Sequence, residues 1–194
     1  MTRTRFLPFV VVLLVVSAVV TIVSVGAVYK SSLNAEQARL VEMVRSQVRF
    51  IDAVAQFDAE LNRDGHADDA VAATLSQVVG ALSRQQGFGE TGEFVLGRRD
   101  GDTIAFLLPL RHAEQATTTI PLTSPEAEPM RRALAGRSGV VIAYDYRAQT
   151  VLAAHEPIPR LRVGLVAKID LTEFRAPFIK AGLISRLLTS GSDR

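Results

Sequence analysis

The sequence predicts an α+β protein: an N-terminal transmembrane helix, a long amphipathic helix, then a five-stranded antiparallel sheet with flanking helices. Three observations predict it. Phe6 to Tyr29 is a run of 24 residues without a charge. Ser31 to about Asn62 contains neither Gly nor Pro and repeats its apolar residues at near-heptad spacing. Beyond Gly87 the chain breaks into short apolar segments joined by turn signals.

The uncharged run is dense in Val and Leu (VVVLLVVSAVVTIVSV). As a helix it reaches roughly 36 Å, enough to cross a hydrocarbon core of about 30 Å with some tilt. Its β-branched content disfavours a helix in water, but in lipid the cost of unpaired backbone groups forces one. A cleaved signal peptide is the alternative, with Arg3 and Arg5 as its charged start and Val25-Gly26-Ala27 as a cleavage site. The apolar core exceeds the usual ~7–15 residues of such peptides, so a retained anchor is expected. Arg3 and Arg5 favour a cytoplasmic N-terminus, against a weaker pull from Lys30, Arg39 and Arg45. The expected organisation is a cytoplasmic tail (1–5), a membrane helix (6–29), a long helix (30–62), a domain (63–176) and a C-terminal helix (177–194).

In the long helix, apolar residues fall at Leu33, Leu40, Val44, Val48, Ile51, Val54 or Ala55, and Leu61, with charges on the other faces. Its lower half is expected to lie on its own domain. Its upper part, nearest the membrane, has no obvious cover, and a parallel homodimer seam would supply one.

Asp64-Gly65 ends this helix, and Asp68 or Asp69 caps the next, from Ala70 to about Gln86, which Gly87 stops. Glu93 to Gly97 and Asp102 to Leu110 read as strands joined through Asp100-Gly101, a hairpin signal. Arg111 to Leu122 is polar and Thr-rich and reads as a loop. A short helix near Glu126 to Ala135 has Pro129 in its first turn and Gly136 past its end. Three further strands follow, Gly139 to Tyr146, Thr150 to Glu156 and Arg162 to Ile169, and then a helix from Leu171 capped by Asp170. Hairpin-type links make the sheet antiparallel, backed by the long helix.

The composition narrows function. Apolar residues make up 48% and the net charge is only +2, which argues against a disordered or nucleic-acid-coating chain. Cysteine is absent, which removes disulfides and thiolate chemistry. Gly87 to Gly92 spells G-x-G-x-x-G. A dinucleotide site needs a strand before those glycines and a helix after them, with the phosphate on the helix N-terminus. Here a helix precedes and a strand follows, so the glycines are read as a helix stop and a tight turn.

No catalytic constellation is visible. His66, His112 and His155 are far apart in sequence; His66 with Asp68 and Asp69 suggests a capping turn over a metal site. No metal and no cofactor is expected. A binding pocket needs only a few polar groups aimed off an apolar sheet. Arg111 ends the second strand and can fork onto a carboxylate. Tyr144, Asp145, Tyr146, His155 and Lys168 are the other polar side chains within apolar runs. Strand alternation puts Tyr144 and Tyr146 on one face and Asp145 on the other. The plainer reading is a solvated face, or a buried pair of Asp145 with Arg147 or Lys168. Arg131-Arg132 reads as an exposed helix face.

Several segments occur together and in order: G-F-G-E-T-G-E-F-V-L-G at 87–97, I-A-F-L-L-P-L-R-H at 104–112, E-P-M-R-R-A-L-A-G-R-S-G at 128–139, D-Y-R-A-Q-T-V-L-A-A-H-E-P-I at 145–158, and V-G-L-V-A-K-I-D-L-T-E-F-R-A-P-F at 163–178. This stretch resembles the extracytoplasmic single Cache sensor domain of bacterial membrane signalling proteins, chiefly sensor histidine kinases and nucleotide cyclases. The resemblance implies a PAS-like sheet with a long helix packed on it, and a pocket on the other face for a small organic acid or amino-acid-like molecule, or for nothing known. It also implies a homodimer in the inner membrane with its sensor domain in the periplasm, two-component or cyclase signalling, and no nucleic-acid partner. The sequence departs from that layout where a second membrane helix is expected from about Pro177. There Lys180 and Arg186 interrupt an apolar stretch too short to span. The competing expectations are a dimerisation or interaction module with its pocket filled by its own side chains, and, more remotely, an anchored hydrolase.

Overall fold

The computed structural model describes residues 3–61, 67–84, 87–111 and 119–190, without the side chains of 3–7, 61, 67–70, 181 and 183–190. It is an α+β structure with two compact units, residues 1–36 and residues 37–194. Helix α1 (Arg3–Leu61) runs through both.

Within the first unit, from Pro8 to Val28, α1 is apolar on every side. Among the described residues it is the one helix long and apolar enough to cross a membrane, with a mean hydropathy of 2.9 over its best window and none of that window buried. Phe9 is 76% exposed and Ile22 70%. An all-round apolar helix in that state suits lipid rather than water.

The second unit is built on one antiparallel sheet. Its strands are β1 (Glu93–Asp100), β2 (Thr103–Phe106), β3 (Thr119–Pro121), β4 (Gly139–Tyr144), β5 (Thr150–Ile158) and β6 (Val163–Asp170). Their spatial order is β3-β2-β1-β6-β5-β4. Among the described residues the sheet therefore has six strands, not the five that the sequence suggests. The extra strand lies inside the stretch read as a loop, where Ile120 is buried and pairs with Ile104 while Pro121 pairs with Thr103. A three-residue edge strand containing proline carries almost no periodic signal, and such strands occupy sheet edges, as here.

Each connection has a local cause. Between β1 and β2, Asp100 pairs with Thr103, leaving Gly101 and Asp102 as the two turn residues. Gly101 has φ +57. Glycine therefore sits at the first turn position, where a II′ turn demands it. Helix α2 (Ala67–Leu82) stops before Gly87 rather than at it. The proposed caps Asp68 and Asp69, and the stop at Asp64-Gly65, lie outside the described residues or side chains.

The two faces of the sheet are covered differently. Leu96, Leu165 and Leu152 face the side of α1 and α2, and Leu40, Val44, Ile51 and Ala55 of α1 are buried there. Arg45 pairs with Glu156 at 3.8 Å and Arg160 with Asp52 at 3.3 Å, pinning α1 to β5 and the turn after it. Thr74 of α2 donates to Asp58 of α1 at 2.7 Å. Packing on the chain's own domain thus reaches up to Leu40, higher along α1 than the heptad reading expects.

The opposite face carries Val95, Ile104, Val151, Ala153 and Val166 under helix α3 (Glu128–Leu134). Gly97 and Gly164 are cross-strand partners beneath that helix. A Cβ on Gly164 would lie 2.7 Å from the Ala133 Cβ and 2.9 Å from the Met130 sulfur. The paired glycines let α3 settle onto the sheet, and Met130 fills the space. Arg131 is not the exposed residue expected: half-buried, it donates to the carbonyls of Leu122 and Ser124, both at 2.9 Å. Helix α4 (Leu171–Ser190) follows β6 without a break.

Candidate functional site

Strand β6 lies between β1 and β5, and all eight of its residues are buried. A charged side chain on such a strand must find partners within the protein. Lys168 does. Its ammonium lies 2.7 Å from Glu93 Oε1 and 2.6 Å from Asp145 Oδ2, and 4.7 Å from the centre of the Tyr146 ring. All three charged side chains are 4% exposed or less.

The carboxylates are held from other directions too. Glu93, directly across from Lys168 in the sheet, accepts from the Tyr146 hydroxyl at 2.7 Å and the Arg111 amide at 2.9 Å. Asp145 accepts from the amides of Arg147 at 2.8 Å and Gln149 at 3.1 Å. Arg147 bridges Asp145, at 2.7 Å, and Asp170, the last residue of β6. Burial pushes the Asp145 carboxyl up, but the charge and hydrogen bond of Lys168, with Arg147, outweigh it and hold it below the ordinary carboxylate range.

The result is a closed cluster of three carboxylates and two cations where β1 begins and β6 ends. Beside it lies a cavity of about 30 Å³, lined by Val95, Phe106, Glu126, Met130, Tyr146 and Lys168 among others. That is room for one water. A hollow of about 320 Å³, lined by Ser83, Leu108 and Arg111, reaches the cluster at Glu93, and an open groove of about 710 Å³ lies between Arg39, Met43 and Gln47 of α1 and Phe88 and Phe94.

Of the six residues singled out in the sequence, Asp145, Tyr146 and Lys168 converge. Tyr146 and Asp145 do so because β4 ends at Tyr144. Asp145 to Gln149 forms a turn in which Ala148 takes φ +56, so the alternation expected through Tyr146 does not hold. Tyr144 stays on the strand and is 52% exposed, away from the cluster. Arg111 contributes its backbone amide to Glu93, while its guanidinium donates to the carbonyls of Gly92 at 3.1 Å and Gly89 at 3.4 Å.

His155 is buried apart from the cluster. Its Nδ1 lies 2.6 Å from the Gly139 carbonyl, which fixes Nδ1 as the donor, and among the described residues Nε2 has no hydrogen-bond partner. Burial, then the charges of Arg132 and Arg137, lower its pKa to about 4. His66 and His112 lie outside the described residues.

Glu93 and Asp170 are absent from the sequence reading of the site, and Arg147 enters it only as an alternative partner of Asp145. Glu93 stands at a strand start beside glycines, where a glutamate reads as solvated, and Asp170 reads as a helix cap. The signal available was the Asp-Tyr-Arg turn itself: Asp145 with Arg147 or Lys168 was among the expected buried pairs, and Asp145 pairs with both.

Compared with known proteins, the chain matches no family model and no curated protein.

Proposed function

We propose that this chain is the membrane-anchored, non-catalytic sensor portion of a bacterial signal-transduction protein. Its α1 spans the inner membrane once, its α+β domain lies in the periplasm, and a cytoplasmic kinase or cyclase output lies outside this chain. The resemblance of segments 87–178 to single Cache domains supports this reading, as does the apolar first unit of α1.

The observation that carries the proposal is the position of the buried cluster. Lys168 and Asp170 are the charged residues of β6, both held by cluster partners, and α4 starts at the next residue. Any change in how Lys168 is shared between Glu93 and Asp145 acts directly on the strand end from which α4 departs. A homodimer is supported by Met43, Phe50 and Phe57, spaced at one heptad each on α1, with Phe50 63% and Phe57 61% exposed.

On the sensing reading, a small ligand enters beside Lys168 and Tyr146 by displacing Met130, the flexible filler of the cavity. A cavity of only about 30 Å³ favours a second reading, in which the protein fills its own pocket and the domain serves dimerisation alone. Thermal unfolding of the full chain in nanodiscs, screened against organic acids, amino acids and amines, separates the two. A ligand at 100 times its Kd adds about 2.7 kcal/mol, several degrees at the midpoint. A shift that Tyr146→Phe weakens is expected for a sensor; no shift across the panel selects the second reading.

A further inference from the structure

The glycine-rich turn before β1 does hold an anion, and the anion belongs to this chain. The backbone N–H groups of Glu90 and Thr91 donate to the Glu173 carboxylate at 3.0 and 2.8 Å, and the Thr91 hydroxyl donates to it at 2.5 Å. Glu173 stands in the first turn of α4. Gly89 has φ +62, and a Cβ there would lie 2.6 Å from Glu173 Oε1, so a larger residue would strain the turn and push the carboxylate aside.

The turn is itself braced. Phe88 N donates to the Gly92 carbonyl at 3.0 Å, and the Arg111 guanidinium holds the carbonyls of Gly89 and Gly92. Thr91 Oγ1 also accepts from the Asp170 amide at 2.9 Å, joining the turn to the end of β6 and so to the charge cluster. Burial pushes the Glu173 carboxyl up, but the Thr91 hydroxyl and the two amides, with Arg111 nearby, hold it below its ordinary value. Successive backbone N–H groups in a turn form an anion-binding concavity, and charge-assisted bonds are about twice as strong as neutral ones.

We propose that the Gly87–Gly92 turn is a clasp: a carboxylate receptor preformed by its backbone, which fastens the root of α4 to the start of β1 through Glu173, and whose opening frees α4 while leaving the sheet intact. The clasp does not depend on what the cavity holds; its use as the release point for signalling rests on the sensor reading.

Hydrogen exchange on the full chain in nanodiscs tests it. In Glu173→Ala, the amides of Glu90 and Thr91 are expected to exchange about tenfold faster or more, as are those of α4 just beyond residue 173, while β5 and β6 keep their protection. Sodium formate is expected to slow Glu90 and Thr91 again in this variant, by refilling the receptor, and sodium chloride at equal ionic strength is not. If Glu173→Ala fails to fold, Thr91→Val, which loses one of the three donors, is expected to loosen the same amides. Unchanged exchange at Glu90 and Thr91, sheet amides loosening equally, or formate acting no better than chloride each overturns the clasp. None of these readouts involves ligand binding, so failure here leaves the sensor reading to the thermal screen.

Discussion

Lys168→Met is expected to cost about 3–5 kcal/mol of stability at pH 7, the range for removing one partner from a buried ion pair. The lysine is the shared counter-ion of Glu93 and Asp145, whose side chains are 4% exposed or less. Without it, Asp145 keeps Arg147 and two amides, but Glu93 keeps only the Tyr146 hydroxyl and the Arg111 amide. Adding Glu93→Gln to Lys168→Met is expected to recover part of the loss, because a neutral amide tolerates the site better than a lone buried charge. Urea unfolding of the three proteins at pH 7 checks both. A single variant as stable as wild type would show that the cluster is not the sealed unit its distances describe.

His155 is expected to dominate acid sensitivity. Its folded-state pKa is lowered to about 4 from the 6.5 of an ordinary histidine. The sign is that of a depressed group: the folded state refuses a proton that the unfolded state accepts below 6.5. Stability is therefore whole above pH ~6.5 and declines as the pH falls toward ~4, by up to about 3 kcal/mol. Asp145 and Glu173, whose pKa values are also depressed, lose their contributions only below the ordinary carboxylate range, so the two effects separate on the pH axis. His155→Phe is expected to flatten the curve between pH 6.5 and 4.5, while lowering stability at pH 7 through the lost bond to the Gly139 carbonyl. A wild-type slope that survives the substitution would place the acid-sensitive group elsewhere.

What the sequence could reveal was decided by periodicity. β5 and β6 read correctly because a strand buried on both faces is a continuous apolar run, in which His155 and Lys168 stand out. β3 was invisible because three residues ending in proline have no period. The Asp145–Tyr146 geometry was misread for the opposite reason: alternation was carried two residues past the true end of β4, into a turn whose left-handed Ala148 has no sequence signature. The partners of Lys168 come from β1 and from the turn after β4, and a cross-sheet register of the Glu93–Lys168 kind is a property of the assembled sheet. Helix α2 precedes the glycine turn and β1 follows it, the element order read from the sequence and the reverse of what a dinucleotide site needs. That the turn grips a carboxylate 84 residues away from Gly89 follows only once β6 delivers α4 beside it.

The most direct test of the link between the buried cluster and α4 uses the absence of native cysteine. Spin labels at Arg99→Cys on β1 and Ile179→Cys on α4, both exposed positions, report the distance between sheet and helix in nanodiscs. The proposed coupling predicts that Lys168→Met displaces or broadens this distance distribution under conditions where circular dichroism shows the sheet still folded. An unchanged, narrow distribution in that variant would contradict it, because α4 would then be indifferent to the charges at its root.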